Sequence, residues 1–281
     1  MSDNLKTGVN YFNNNDYENA VKYFQLAAEQ EGDAEAEACL GLCYYKGKGV
    51  PKDDGEARYW LSKSAAQHND GHMCFYNRDG CLWYGQYLFD KKEYYEARRC
   101  VENVAKPGDD EAQLLYGICL LREGWYVSEG RHLTERFARQ GNKEAQFELG
   151  KYYFGEDHDK AKYWYEKAAE QGHLEAMYEQ YFYQDDNEKK LMYLKKSAEM
   201  GFDQAQFLLA DLYAKGGDYD FDIKIEKDVE KAKYWYEKAE AQGMTRASDE
   251  LKKLNSGCAA MIALPIVMFV IVNLIRVSFF S

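Results

Sequence analysis

Residues 160–168 read Lys-Ala-Lys-Tyr-Trp-Tyr-Glu-Lys-Ala, and the same nine residues return unchanged at 231–239. An unaltered internal copy of that length marks a repeat array, which restricts a chain to stacked units that bury their apolar faces against neighbouring units. After each copy comes a glycine with an alanine four residues on, Gly172 to Ala176 and Gly243 to Ala247. The same joint stands at Gly32 to Ala36, Gly108 to Ala112, Gly141 to Ala145 and Gly201 to Ala205, and Asn69 to Met73 fills the missing place. Positions 36, 73, 112, 145, 176, 205 and 247 are thus 37, 39, 33, 31, 29 and 42 residues apart. A period in the thirties with two apolar helical stripes per unit selects stacked helix pairs over strands.

The first stripe reads Ala36-x3-Leu40-Gly41-x2-Tyr44, and again Ala145-x3-Leu149-Gly150-x2-Tyr153. Offsets of four and eight place Ala, Leu and Tyr on one helix face. Gly41 and Gly150 lack the side chain that would hold the partner helix away. The second stripe reads Asp53-x2-Glu56-Ala57-x2-Trp60, then Asp157-x2-Lys160-Ala161-x2-Trp164, then Asp228-x2-Lys231-Ala232-x2-Trp235. Asp at that place is predicted to cap the helix by accepting amide protons of its first turn. Trp is expected to be the large wedge between units and Ala the close contact. Only 3 prolines in 281 residues agree with long helices.

The unit A-x3-LG-x2-Y, followed by Tyr45-Lys-Gly-Lys-Gly-Val-Pro-Lys-Asp53 and A-x2-W with a closing Ala-Ala, resembles the Sel-one-like repeat, a relative of the tetratricopeptide repeat. Residues 33–68 follow that pattern almost completely, and 142–172 and 202–243 follow it in both helices, with a shortened and an enlarged connection respectively. The unit at 109–141 keeps Tyr116-Gly117 without the second-helix Trp, 173–201 has Gln180-Tyr181 in place of Leu-Gly, and 70–106 departs most. Residues 4–31, with Asn13-Asn-Asn-Asp16 as their turn, look more like the general tetratricopeptide form. The resemblance covers about residues 4–254 as seven helix pairs and a closing helix at 244–254. It implies an all-α, right-handed superhelical solenoid of about seven antiparallel pairs, and protein-protein binding as its business.

Lys plus Arg number 36 against 48 Asp plus Glu, a formal charge of −12. Phosphate-backbone affinity comes from Lys and Arg displacing counterions, so no nucleic acid is expected as partner. Seven cysteines, at 39, 43, 74, 81, 100, 119 and 258, form an odd set without the close spacing of a secreted disulfide framework. Reduced thiols in the cytosol fit better, as does the polar start Met1-Ser2-Asp3-Asn4-Leu5-Lys6-Thr7-Gly8.

The far end is different. Cys258 to Val272 is 15 residues without a charge, and Leu274-Ile275 extend the run to 18 with only Asn273 polar. Such a helix is roughly 27 Å long against a hydrocarbon core of roughly 30 Å. Arg276 can snorkel and Phe279 and Phe280 can sit at headgroup depth, with Lys252 and Lys253 retained on the cytosolic side. The expectation is a tail-anchored, single-pass membrane protein: a repeat domain at 1–254 in the cytosol, an anchor at 255–281, and membrane contact through 258–280. The alternative is a C-terminal helix packed on the domain, giving a soluble adaptor, though Pro265 favours lipid.

Three groups of residues invite a chemical reading. Ser2-Asp3-Asn4 and Lys6-Thr7-Gly8 echo motifs of the β-lactamase-like activity linked to some bacterial relatives, but they adjoin each other and no S-x-x-K exists. Asp218-x-Asp220-x-Asp222 opens like a calcium loop, yet Ile223 and Val229 replace the required Gly and Glu, leaving a solvated loop. His68, His72, Cys74 and Cys81 supply four N and S donors in the spacing H-x3-H-x-C-x6-C, unlike the paired C-x2-C forms of zinc sites. No metal, cofactor or catalytic residue is assigned, and the chain is read as a scaffold or adaptor and not an enzyme, with a β-lactamase-like hydrolase as the rival.

Tyrosine is in excess, 25 of 281, and many fall on first helices, which line the concave side of a solenoid. Lys151, Tyr152, Tyr178, Phe182 and Asp211 are the expected partner contacts, on an acidic and aromatic surface suited to a basic or amphipathic peptide. The unit at 173–201 is the expected seat of specificity, its bulky Tyr181 widening the helix pair.

Overall fold

The protein is described from a computed structural model covering residues 2–69, 72–75, 77–218 and 223–255. It divides into two compact units, with the boundary between Tyr152 and Tyr153 in the last turn of a helix. The first unit holds α1 (Asp3–Asn13), α2 (Tyr17–Gln30), α3 (Ala34–Lys46), α4 (Asp54–Ala65), α5 (Arg78–Asp90), α6 (Tyr94–Glu102), α7 (Asp110–Glu123), α8 (Val127–Arg139) and all but the end of α9 (Lys143–Tyr153). The second holds α10 (His158–Glu170), α11 (Leu174–Tyr183), α12 (Asn187–Glu199), α13 (Asp203–Lys215), α14 (Val229–Ala241) and a closing helix at 245–255, α15. Within the first unit α1 packs on α2, α3 on α4, α5 on α6 and α7 on α8, and within the second α11 packs on α12 and α13 on α14, the first and second helices of successive repeats in the expected order.

Local chemistry explains the punctuation. The Asp53, Asp157 and Asp228 carboxylates each accept first-turn amide protons of the helix that follows, as their spacing predicts. All six joint glycines adopt positive φ, from 62° at Gly32 to 101° at Gly201, a region closed to most side chains. Inside the pairs, glycine serves contact. A Cβ on Gly41 would lie 2.7 Å from Leu61 Cγ, and one on Gly85 would lie 2.5 Å from Val101 Cγ1. Ala57, Ala161 and Ala232 are fully buried where the second helices need close approach.

Three features depart from the sequence expectations. Trp164 and Trp235 are only half-buried, while the neighbouring Tyr165 and Tyr236 are 1% exposed. The inward stripe of α10 runs Ala161, Tyr165, Ala168, at offsets of four and seven, so Trp164 falls on its margin with its ring 4.9 Å from Tyr163. In α4 the corresponding inward residue is the smaller Leu61, and Trp60 sinks to 7% exposure. The missing joint at 69–73 is the second departure: β1 (Ala66–Asn69) and β2 (His72–Phe75) pair antiparallel in the register Ala66 with Phe75. With no helix-ending glycine there, the longer connection satisfies its backbone groups in a ladder. Third, the loop before α14 is not wholly solvated, because β3 (Gly217–Asp218) pairs with β4 (Ile223–Lys224) and Ile223 is buried.

Among the described residues no helix is long and apolar enough to cross a membrane, and no group of three His, Cys, Asp or Glu is placed to hold a metal. The apolar run from Cys258 and the side chains of His68, His72 and Cys74 lie outside what is described. Cys81, the fourth member of that cluster, is fully buried, its Sγ 3.9 Å from the Ala65 carbonyl oxygen.

Candidate functional site

In the first unit, three first helices begin side by side. The side chain of Asp33 caps α3, that of Asn77 caps α5 and that of Asp109 caps α7. Their first turns carry Glu35, Asp79 and Glu111, where the positive end of a helix dipole favours carboxylates. Below this rim the helices present Cys39 and Leu42 from α3, and Leu82 and Trp83 from α5. Together with Arg78 these eight residues line a hollow of about 280 Å³.

Arg78 organises the rim. Its guanidinium donates to both carboxylate oxygens of Asp109, at 2.5 and 2.9 Å, to Asp79 at 2.6 Å and to Glu111 at 3.1 Å. That contact holds the Asp109 carboxyl below the usual carboxylate range. Glu35 has no cationic partner among the described residues. Three lining carboxylates therefore face one guanidinium. Leu82 is buried and Leu42 partly so, and they form an apolar floor; Trp83 leaves 45% of its surface exposed. Burial pushes the Cys39 thiol up to about 12, so it is an apolar wall and not a nucleophile at neutral pH. Acidic rim, apolar floor and one indole give a binding surface.

None of the five expected contact residues lines this hollow. In the first unit, the exposed Lys151 amine lies 3.8 Å from Glu148 and 5.1 Å from the Phe147 ring centre, and Tyr152 is half-buried. In the second, Tyr178 and Phe182 are brought together, ring centres 5.3 Å apart, with Phe202 5.5 Å from Tyr178. Phe182 keeps 39% exposure. Asp211 is engaged by its own repeat, accepting from the Tyr236 hydroxyl and from Lys215 at 2.6 Å. Tyr181 is fully buried, and its hydroxyl donates to Asp218 Oδ2 at 2.6 Å, so the bulky residue ties its unit to the enlarged loop of the next. The hollow was legible in one respect: Trp83 is a tryptophan on a first helix, in the unit that departs most from the repeat.

The same helix-pair sequence is found elsewhere. A family model described as Sel1 repeat matches residues 8–31, 34–69, 143–173 and 203–244. These four stretches of the chain carry the Sel1-repeat pattern. The chain's arrangement is shared with the crystal structure of a Sel1 repeat protein from Oxalobacter formigenes, with TM-score 0.52 and 27% identity over 89% of this chain and 75% of that one. The fold class is accordingly an all-α solenoid. Among curated proteins, DAP3-binding cell death enhancer 1 of Rattus norvegicus is 49% identical over 55 residues, 20% of this chain and 11% of that protein. The ERAD-associated E3 ubiquitin-protein ligase component HRD3B of Arabidopsis thaliana is 30% identical over 114 residues, 40% of this chain and 17% of that protein. The Sel1 repeats here thus span less than a fifth of either curated relative.

Proposed function

We propose that this Sel1-repeat chain is a scaffold or adaptor that holds a protein partner on its first-helix surface, tethered to a membrane by residues 258–280 with the repeats in the cytosol. The hollow on α3, α5 and α7 carries the reading, because an open apolar floor ringed by charge is the anatomy of a recognition site for a segment of another chain. The names of the two curated relatives, one a binding protein and one a ligase component, point the same way. Lys151, Tyr152, Tyr178, Phe182 and Asp211 are proposed as further contacts, with Phe182 the most open of the aromatic ones.

Photo-crosslinking tests the location: a benzophenone amino acid is placed at Trp83, at Phe182, or at the second-helix Tyr163, which is 51% exposed. Covalent capture of one partner from Trp83 or Phe182 but not from Tyr163 is expected, and capture from Tyr163 alone overturns the first-helix assignment. The tether has its own test. Full-length chain that leaves membranes in alkaline carbonate as readily as a version ending at Asn255 refutes the anchor.

A further inference from the structure

We infer that the hollow on α3, α5 and α7 is a socket for one arginine or lysine side chain of a partner segment. The inference rests on the first-helix reading above and adds the chemistry of what enters. Two groups in the hollow are left over once its internal contacts are made. Glu35 offers a carboxylate with no cationic partner, and Trp83 offers an indole that pairs with no ring or cation among the described residues. Elsewhere in the chain aromatic rings are repeatedly covered by the chain's own cations, as Trp60 is by Lys63, Tyr95 by Arg98 and Phe207 by Arg246. Trp83 presents the same kind of face without a resident cation.

Charge selects the occupant. Glu35, Asp79 and Glu111 outnumber Arg78, and Arg78 is already committed to Asp109, Asp79 and Glu111. An incoming carboxylate would meet like charge, and a wholly apolar side chain would leave Glu35 unanswered. A guanidinium or ammonium satisfies both leftovers, lying over the indole face while it pairs with Glu35. The methylene stem of the same side chain covers Leu42 and Leu82, the floor a small cation would leave wet. The hollow, about 280 Å³, has room for one such long side chain and not for a helix. The partner is therefore a segment with a basic residue beside an apolar one.

The test is selection of short random displayed peptides on the detergent-solubilised full chain, followed by calorimetry on synthetic versions of the enriched sequences. Enriched peptides are expected to carry Arg or Lys beside an apolar residue. Replacing that arginine by uncharged citrulline should weaken binding by about tenfold, and so should Glu35→Gln. Trp83→Leu, which keeps bulk and removes the π face, should do the same, with the helical circular dichroism of both variants unchanged. Peptides that lose affinity with Trp83→Leu yet tolerate citrulline and Glu35→Gln overturn the basic socket while leaving the first-helix reading in place. Peptides indifferent to both protein substitutions, or the absence of any enriched peptide, overturn the socket, while the crosslink from Phe182 decides the first-helix reading separately.

Discussion

Replacing glycine by alanine in the two helix pairs that share the L-G or Y-G position should give opposite outcomes. In both α3 and α7 the exchange removes the conformational penalty of glycine in a helix interior, a gain of about 1 kcal/mol. Against that stands crowding. At Gly41 the new methyl would lie 2.7 Å from Leu61 Cγ and 3.0 Å from Leu61 N, and a backbone nitrogen cannot rotate away. Overpacking of this kind costs about 1–3 kcal/mol, and contact at 2.7 Å with backbone behind it belongs at the upper end. Gly41→Ala should therefore destabilise by roughly 1–2 kcal/mol net. At Gly117 the nearest atoms are Leu133 Cβ and Cγ at 3.1 Å and Cδ2 at 3.2 Å, all side chain. A shift of a few tenths of an ångström relieves them, so Gly117→Ala should be neutral or stabilising by up to about 1 kcal/mol. Urea denaturation followed by helical ellipticity reads the difference, and amide exchange in α3 and α4 locates it, because repeat arrays open locally. Equal destabilisation by the two exchanges, or a neutral Gly41→Ala, would refute the claim that backbone contact across α3 and α4 sets the glycine requirement.

Three further outcomes follow from the geometry. Tyr165→Ala should cost roughly 3–5 kcal/mol and clearly more than Trp164→Ala, since Tyr165 is fully buried and Trp164 sits on the margin; denaturation midpoints in the reverse order would restore tryptophan as the wedge. The Asp109 carboxyl is held below its ordinary value by Arg78, so its contribution to stability is whole above the unfolded carboxylate value of about 4 and is lost as pH falls through the lowered one. Acid titration of ellipticity should show Asp109→Asn less stable at neutral pH and less sensitive below pH ~4 than the parent. Burial pushes Cys39 to about 12 and Cys43 to about 11, so both thiols should resist iodoacetamide in the native protein at pH ~8 and react once it is unfolded; native labelling at the unfolded rate would contradict the burial.

The sequence determined the repeats, because the information there is local. A capping Asp, a joint glycine and an apolar offset of four each act within a turn or two, so helix order and pairing could be read from residues such as Asp157, Gly172 and Leu40. Which face of a second helix points inward could not, since Trp164 and Tyr165 are adjacent aromatic residues about 100° apart, and only the volume left by neighbouring helices seats one and strands the other on the margin. The same holds for the site. Glu35, Trp83 and Glu111 are 48 and 28 residues apart along the chain, and no spacing rule links them. They meet because α3, α5 and α7 begin side by side. Asp211 shows the converse: as a lone acidic residue on a first helix it looked open, and the stacked Tyr236 took its carboxylate. Repeat chemistry is written in short-range pattern, while the choice of which side chains remain free for a partner is made by packing between units.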